Sequence, residues 1–577
     1  MSIRGAERAE TPREAELTLR AVIAGCLLGA ALAAANVYTG LKTGFVDGGS
    51  ITASVLAFAW FRSAGRRFSA LENNLTQTIA GTAAVMSLVV GLIGPMPALR
   101  LLGYPAPAGV LIAWGLALGA LGVVVALLLR PQLITAERLP FPTGTATAEV
   151  IVAMDSAAGT AVRRARALVI AAVLAALIGW LRDGPLALLP QALLLPFGLW
   201  GVSAASLSIG LAVSPLLLST GLLVGVRAAG GMLLGSLIAW AVLAPMLVTR
   251  GIVAAAEHAP LSEWLMWPGA ALMLSSSLTA LLLEWRSLVR GLSDLRAFTQ
   301  GSSSSDSAGA RGNALRVLLW LTIASVLLVV VLARSTFDVS PVLSLLALLL
   351  SLLLAGACAR SAGETDVAPV GALGGMAQLA FGGTGVAASL SSGAIVAGTA
   401  SQTAQTLWAF KCGDRLGASL KAQIVGPLIG VGVGALVVVP VYEVVVRVYG
   451  IGTERMPAAS VTSWKATAEA VQGGFSALPP YALAAGLIAA CLGVLLTLLA
   501  QTRWSRFLLS PIALGIGFLT PAAMSVTVFV GALLLALLLW RAPVWAEEHI
   551  SSLAGGAIAG ESLFAVVLAV LISAGVL

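Results

Sequence analysis

Charge is the scarcest property of this sequence. Among 577 residues there are 33 Lys and Arg and 25 Asp and Glu, 10% in all, against roughly a quarter in ordinary soluble domains. That deficit excludes a water-facing globule. Histidine occurs only at His258 and His549, both in expected loops, and cysteine only at 26, 358, 412 and 491. There is no HExxH, no Asp-rich metal motif and no CxxC. Metalloprotease and prenyl-transfer chemistry, structural zinc and a disulfide framework therefore lack their parts. No cofactor, no metal site and no enzymatic activity are expected. Cys26 and Cys491 lie in apolar runs and read as packing residues. Clustered basic charge is missing too: the formal +8 comes from Arg and Lys dispersed over short loops, which reads as membrane topology rather than nucleic-acid binding.

What the chain has is apolar length. Hydrophobic residues make up 59%, which at about 20 residues per crossing allows at most about 17 transmembrane helices. Unbroken runs such as 107 to 129 and 523 to 540 exceed the alternating segments of about ten residues found in membrane barrels. The expected fold is all-α, a polytopic helical membrane protein of about 16 transmembrane helices with broken or re-entrant segments and two related halves. Expected spans lie near 18–37, 48–61, 74–94, 107–129, 165–181, 185–202, 205–225 and 228–247. A second set lies near 315–333, 341–357, 368–390, 421–441, 481–500, 506–520, 523–540 and 556–576. Residues 261–284, with Trp264, Trp267 and Pro268, suit either an interfacial segment or a further span.

The polar run GSSSSDS within 285–314 reads as a connector between an N-terminal half, 1–284, and a C-terminal half, 315–577. Short resemblances, such as GTATA at 144–148 to GTASQ at 398–402, suggest a duplication of unfixed register. Arg62, Arg66 and Arg67, with Arg163, Arg164 and Arg166, mark two cytoplasmic loops and place the N-terminus inside. The segment 17–35 reads as an uncleaved first span rather than a signal peptide. Abundant Arg, Ala, Leu and Gly beside few Lys point to a bacterial inner (plasma) membrane.

Polar residues concentrate in a few clusters. Asn36, Tyr38 and Lys42 sit among Gly40 and Gly44; Glu72, Asn74 and Gln77 head a span. Such density on a lipid face would be costly, so part of each should face protein or a wet cavity. FPTGTATAE, 141–149, opens the apolar stretch 143–154, which is about 18 Å long as a helix, too short for a 30 Å core. Its Thr145 and Thr147 can donate hydrogen bonds, and the amides of a half-helix would favour an anionic group. Residues 392–409, interrupted by Gly398, Ser401, Gln402 and Gln405, and 458–479, with Lys465 and Glu469, likewise read as half-helices or re-entrant hairpins. Gln402 and Gln405, three apart, can share one face and recognise a peptide backbone. Candidate proton-coupling groups are Glu72, Glu149, Glu364, Asp366, Lys411, Glu443 and Glu469, with Lys465 and Glu561 as further buried-looking ionisable residues.

The stretches NVYTGLKTG (36–44), LENNLTQT (71–78), LPFPTGTATAE (139–149), GETDVAPVGALG (363–374), FKCGDRLGASLKAQ (410–423) and PAASVTSWKATAEAV (457–471) together resemble the oligopeptide transporter family, particularly its prokaryotic branch related to yellow stripe-like metal-chelate carriers. Cys412 stands where that pattern leads one to expect a small hydroxyl residue. The resemblance implies about sixteen spans and secondary transport of peptides or peptide-like chelates, usually by inward proton symport. The expected substrate-binding residues are Asn36, Tyr38, Lys42, Asn74, Gln77, Thr145, Thr147, Gln402 and Gln405. The expected partners are a small peptide or chelate substrate, protons and the lipid bilayer.

Overall fold

The structure is a computed structural model that describes residues 16–576 apart from 45, 47, 157, 186, 197, 200, 205, 254–257, 284–307, 366–367, 474–478 and 504–507. In chain order its helices are α1 Leu19–Thr43, α2 Ser50–Ser63, α3 Ala70–Ala84, α4 Met86–Val89, α5 Pro95–Leu101, α6 Ala108–Arg130, α7 Pro142–Ser156, α8 Ala158–Asp183, α9 Pro215–Ser236, α10 Ala244–Thr249 and α11 His258–Leu283. They continue as α12 Ala308–Phe337, α13 Pro341–Thr365, α14 Val370–Ala380, α15 Val386–Leu416, α16 Leu420–Tyr449, α17 Ala459–Gly473, α18 Ala482–Leu499, α19 Pro511–Leu519, α20 Ala522–Arg541 and α21 Pro543–Ser573. Among the described residues, ten helices are long and apolar enough to cross a membrane: α1, α6, α8, α9, α12, α13, α16, α18, α20 and α21, several of them extended or trimmed at their ends. A backbone surrounded by lipid must satisfy its own hydrogen bonds, which helices do. This is a multi-pass helical membrane protein. Most of the expected connector falls outside the described residues, and Ala308 onward already belongs to α12.

Three expectations are corrected. The segment 185–202 is no span: Pro190, Pro196, Gly198 and Gly201 punctuate it, and the chain forms two small antiparallel ribbons. In one, Ala192, Leu193 and Leu194 face Ala212, Leu211 and Gly210; in the other, Gly198 and Leu199 face Ser203 and Val202. Here β1 is Ala192–Leu194, β2 Gly198–Leu199, β3 Val202–Ser203 and β4 Gly210–Ala212. Second, 205–225 is helical only from Pro215, because β4 and its turn occupy the residues before it; two helical stretches then meet at Gly225, where φ is 75° and ψ 175°, and the second widens to i→i+5 turns over Leu237–Leu243. Third, 368–390 is the short helix α14, a turn, and the start of α15 rather than one crossing.

Helix α15 also overturns the expected break at 392–409. It is continuous over 31 residues, of which 26 are buried, so it forms the axis of the molecule. Its hydroxyls fold back onto their own helix, Thr403 Oγ1 to Thr399 O at 2.7 Å and Thr406 Oγ1 to Gln402 O at 2.8 Å, which hides polarity that the sequence alone makes look disruptive. Short segments do occur elsewhere, among them α3, α7 and α17, of 15 residues each. Cys412 is buried against Val55, Phe58, Ile151 and Met154, so thiol in place of hydroxyl suits an apolar contact. Cys491 is exposed on α18 rather than packed. His258 opens α11 and His549 lies in α21, so neither is in a loop.

Candidate functional site

Two chambers carry polar groups in their walls, and the first adjoins the axis. The first, about 440 Å³, lies where the start of α2, the start of α7, α9 and α15 converge; Gly48, Ser50, Thr143, Ser401, Gln405 and Trp408 contribute to its wall. The chain reaches it by turning back after α1: Gly44 takes the left-handed cap of that helix, and by Gly49 the backbone already lies against Leu32. Gln405 Nε2 is 3.5 Å from Ser50 Oγ. Gly144 brings α7 against the backbone of α15, where any side chain would collide with the Trp408 carbonyl.

The second chamber, about 400 Å³, is charged. Tyr38, Lys42, Arg182, Asp183, Ser214 and Arg455 line it, and β1 and β4 contribute Ala192, Leu194 and Ala212. Beside it Glu561, fully buried on α21, accepts from Arg182 NH1 at 3.0 Å, from Ser214 Oγ at 2.8 Å and from the Leu216 amide at 2.8 Å, with Lys42 Nζ at 3.5 Å. The Leu216 amide belongs to the first turn of α9, where unpaired amides favour a negative charge. Arg182 Nε also donates to Asp183 Oδ2 at 3.0 Å. Two cations and two carboxylates thus neutralise one another. Tyr38 accepts from Lys42 at 3.0 Å and meets Tyr449 edge to face at 5.5 Å.

The expected site residues therefore separate. Gln405 faces the first chamber, Tyr38 and Lys42 the second. Gln402 and Gln405 do not share a neighbour: Gln402 packs on Gly122 of α6, and its Nε2 donates to Thr406. Asn36 donates to the Ala84 carbonyl at 2.9 Å, tying α1 to the end of α3. Gln77 donates to Asn74 Oδ1 and Thr78 Oγ1, both at 3.0 Å. The Oε1 atoms of Gln77 and Gln402 are buried without a partner among the described residues. Thr145 donates to the Pro140 carbonyl at 2.6 Å and Thr147 to the Thr143 carbonyl at 2.8 Å.

Among the acidic candidates, Glu72 closes a capping box with Ser69 at the head of α3 and takes both Nε and NH2 of Arg20 at 2.6 Å. Glu443 pairs with Arg100 at 2.9 Å, and Glu469 with Lys465 at 3.2 Å. Glu149 is exposed on α7, and Lys411 is buried on α15 near Gly144. The Glu364 side chain and Asp366 lie outside the described residues. Sequence reasoning missed Arg182, Asp183 and Ser214. Arg182 and Asp183 read as an ordinary polar end of an apolar run, and Ser214 gains meaning only from the carboxylate that α21 brings to it.

The sequence profile described as "OPT oligopeptide transporter protein" matches residues 16–572. A "Putative oligopeptide transporter" of Saccharomyces cerevisiae is 23% identical over 96% of each chain. A "Putative oligopeptide transporter" of Haemophilus influenzae is 26% identical over 94% of this chain and 93% of its own. A "Probable metal-nicotianamine transporter" of Oryza sativa subsp. japonica is 27% identical over 42% of this chain and 39% of its own. With nearly its whole length accounted for by one profile, the chain belongs to the OPT oligopeptide transporter family.

Proposed function

We propose that the protein is a secondary active transporter that imports oligopeptides or peptide-like compounds across a bacterial inner membrane by proton symport. The observation that carries this reading is the chamber between α2, α7 and α15. Its volume, about 440 Å³, falls in the range of small-molecule sites. Its wall combines the Gln405 amide and the Ser50 and Ser401 hydroxyls with the Trp408 ring. Amides and hydroxyls offer both donors and acceptors to a peptide unit, and the pocket takes residues from both sides of the connector. Recognition by side chains of this kind requires no resident metal and no chemical step, which agrees with transport rather than catalysis.

One proton entering down 100 mV supplies about 2.3 kcal/mol, enough for roughly fiftyfold accumulation of a neutral solute at one-to-one coupling. The test is uptake of labelled tri- to pentapeptides into proteoliposomes with an imposed inward proton gradient. Uptake should rise with the gradient and fall to the ungraded level when a protonophore is added. Equal uptake with and without the gradient removes proton coupling.

The rice relative supports a second cargo, a metal-chelate or siderophore complex. A carrier that grips the organic chelator needs no metal ligands of its own. Competition of loaded chelates against peptides separates the two cargoes.

A further inference from the structure

We infer that Lys42 and the charged chamber form a subsite for the carboxylate of the cargo, an inference that rests on the transport reading above. Glu561 is held by three close donors, Arg182, Ser214 and the Leu216 amide, all within 3.0 Å, whereas Lys42 stands off at 3.5 Å. Lys42 is thus the partner that Glu561 needs least. An ammonium carries three donors; that of Lys42 has Tyr38 at 3.0 Å and this one long contact. It is 7% exposed and lines a cavity of about 400 Å³. A buried cation with spare donor capacity beside an open volume favours an incoming anion, because charge-assisted bonds are strongest where water is excluded.

The placement fits a route to the first chamber. On α9, Leu217 lines the charged chamber and Leu223 the uncharged one; on α21, Gly555 lines the uncharged chamber, and Glu561 stands beside the charged one. Six residues of helix separate the levels by about 9 Å. The same two helices therefore run past both chambers in opposite directions. A cargo held by both Gln405 and Lys42 has to span those two levels, about 9 Å along these helices. The ligand chemistry is a carboxylate, supplied either by a free peptide C-terminus or by a carboxylate-bearing chelator.

The test compares, in proteoliposomes, uptake of a tripeptide as free acid and as C-terminal amide, for wild type, K42Q and K42R. Wild type should favour the acid by roughly tenfold or more, the worth of a hydrogen bond to a charged group. K42Q should bring that ratio close to one, and K42R should keep it. Equal handling of acid and amide by wild type, or a preference that survives K42Q, overturns the subsite and leaves peptide transport standing. A parallel arm offers a carboxylate-bearing metal chelate and its methyl ester. Uptake of the chelate alone, with the acid preference lost in K42Q, supports the subsite and overturns the peptide cargo. If K42Q does not fold, the double variant K42Q/E561Q, which removes both charges of the pair, carries the same comparison with the same two outcomes.

Discussion

At the scale of single residues, burial separates charges that matter to stability from charges that do not. Glu561 is fully buried, and its removal would leave Lys42, 7% exposed, without a carboxylate and Arg182, 4% exposed, with Asp183 as its remaining one. Breaking a buried pair in this way costs about 3–5 kcal/mol. Glu561→Ala should therefore lower the thermal unfolding midpoint in detergent markedly. Glu443→Ala should shift it little, because its pair with Arg100 is partly exposed and such pairs contribute at most about 1 kcal/mol. At Gln405 the effect belongs to binding. Loss of one neutral hydrogen-bonding group, about 0.5–1.5 kcal/mol, should raise the half-saturation concentration of peptide uptake roughly two- to tenfold in Gln405→Ala. Glu561 was legible in the sequence as a buried-looking carboxylate near the end of an apolar run. Its partners were not, since they come from residues 42, 182 and 214 and meet only through tertiary packing.

At the scale of elements, the sequence revealed where apolar rods begin more readily than where they bend. The segment Pro215–Thr249 reads as two stretches because Arg227 and a run of glycines interrupt its apolar course, and two helices do meet there, at Gly225. With φ at 75° and ψ at 175°, this position lies in a region essentially restricted to glycine. Added bulk has open space there, so Gly225→Ala isolates the conformational cost, about 1–3 kcal/mol. The expected result is lower thermal stability with no change in the apparent size of the detergent complex. Helix α15 shows a failure of reading. Glycines, glutamines and hydroxyls there suggested a break, yet polar side chains satisfied by their own backbone leave a helix intact. Short elements such as α7 were legible, because Pro142 and the polar stretch before it set a hard N-terminal limit.

At the scale of the whole molecule, helical class, membrane location and family could be read from composition and ordered motifs. The division into two chambers could not, because Lys42 and Gln405 belong to one functional list in the sequence but sit at different levels of the fold. A thiol placed in the uncharged chamber reports on access to it. Cys358 and Cys412 are fully buried, so with Cys26 and Cys491 replaced by serine, S401C becomes the reactive position. Its modification by a water-soluble maleimide should slow in saturating peptide. S63C, at the exposed end of α2 among Arg62, Arg66 and Arg67, should show no such protection. Indifference of S401C to peptide would detach that chamber from the cargo.

The glycine contacts along α15 bear on how such a molecule moves. At Gly398 the shaft meets the Val89 carbonyl, and at Gly144 a neighbour meets the shaft's own Trp408 carbonyl, with no side chain between them. Ridged helices must lift out of one another's grooves before they can slip. At these two points the spindle turns smooth backbone to its neighbours, like a journal in its bearing, although Thr403 still bonds the Gly122 carbonyl of α6. Teeth added to that bearing, as in G398A, should slow turnover more than they weaken cargo affinity.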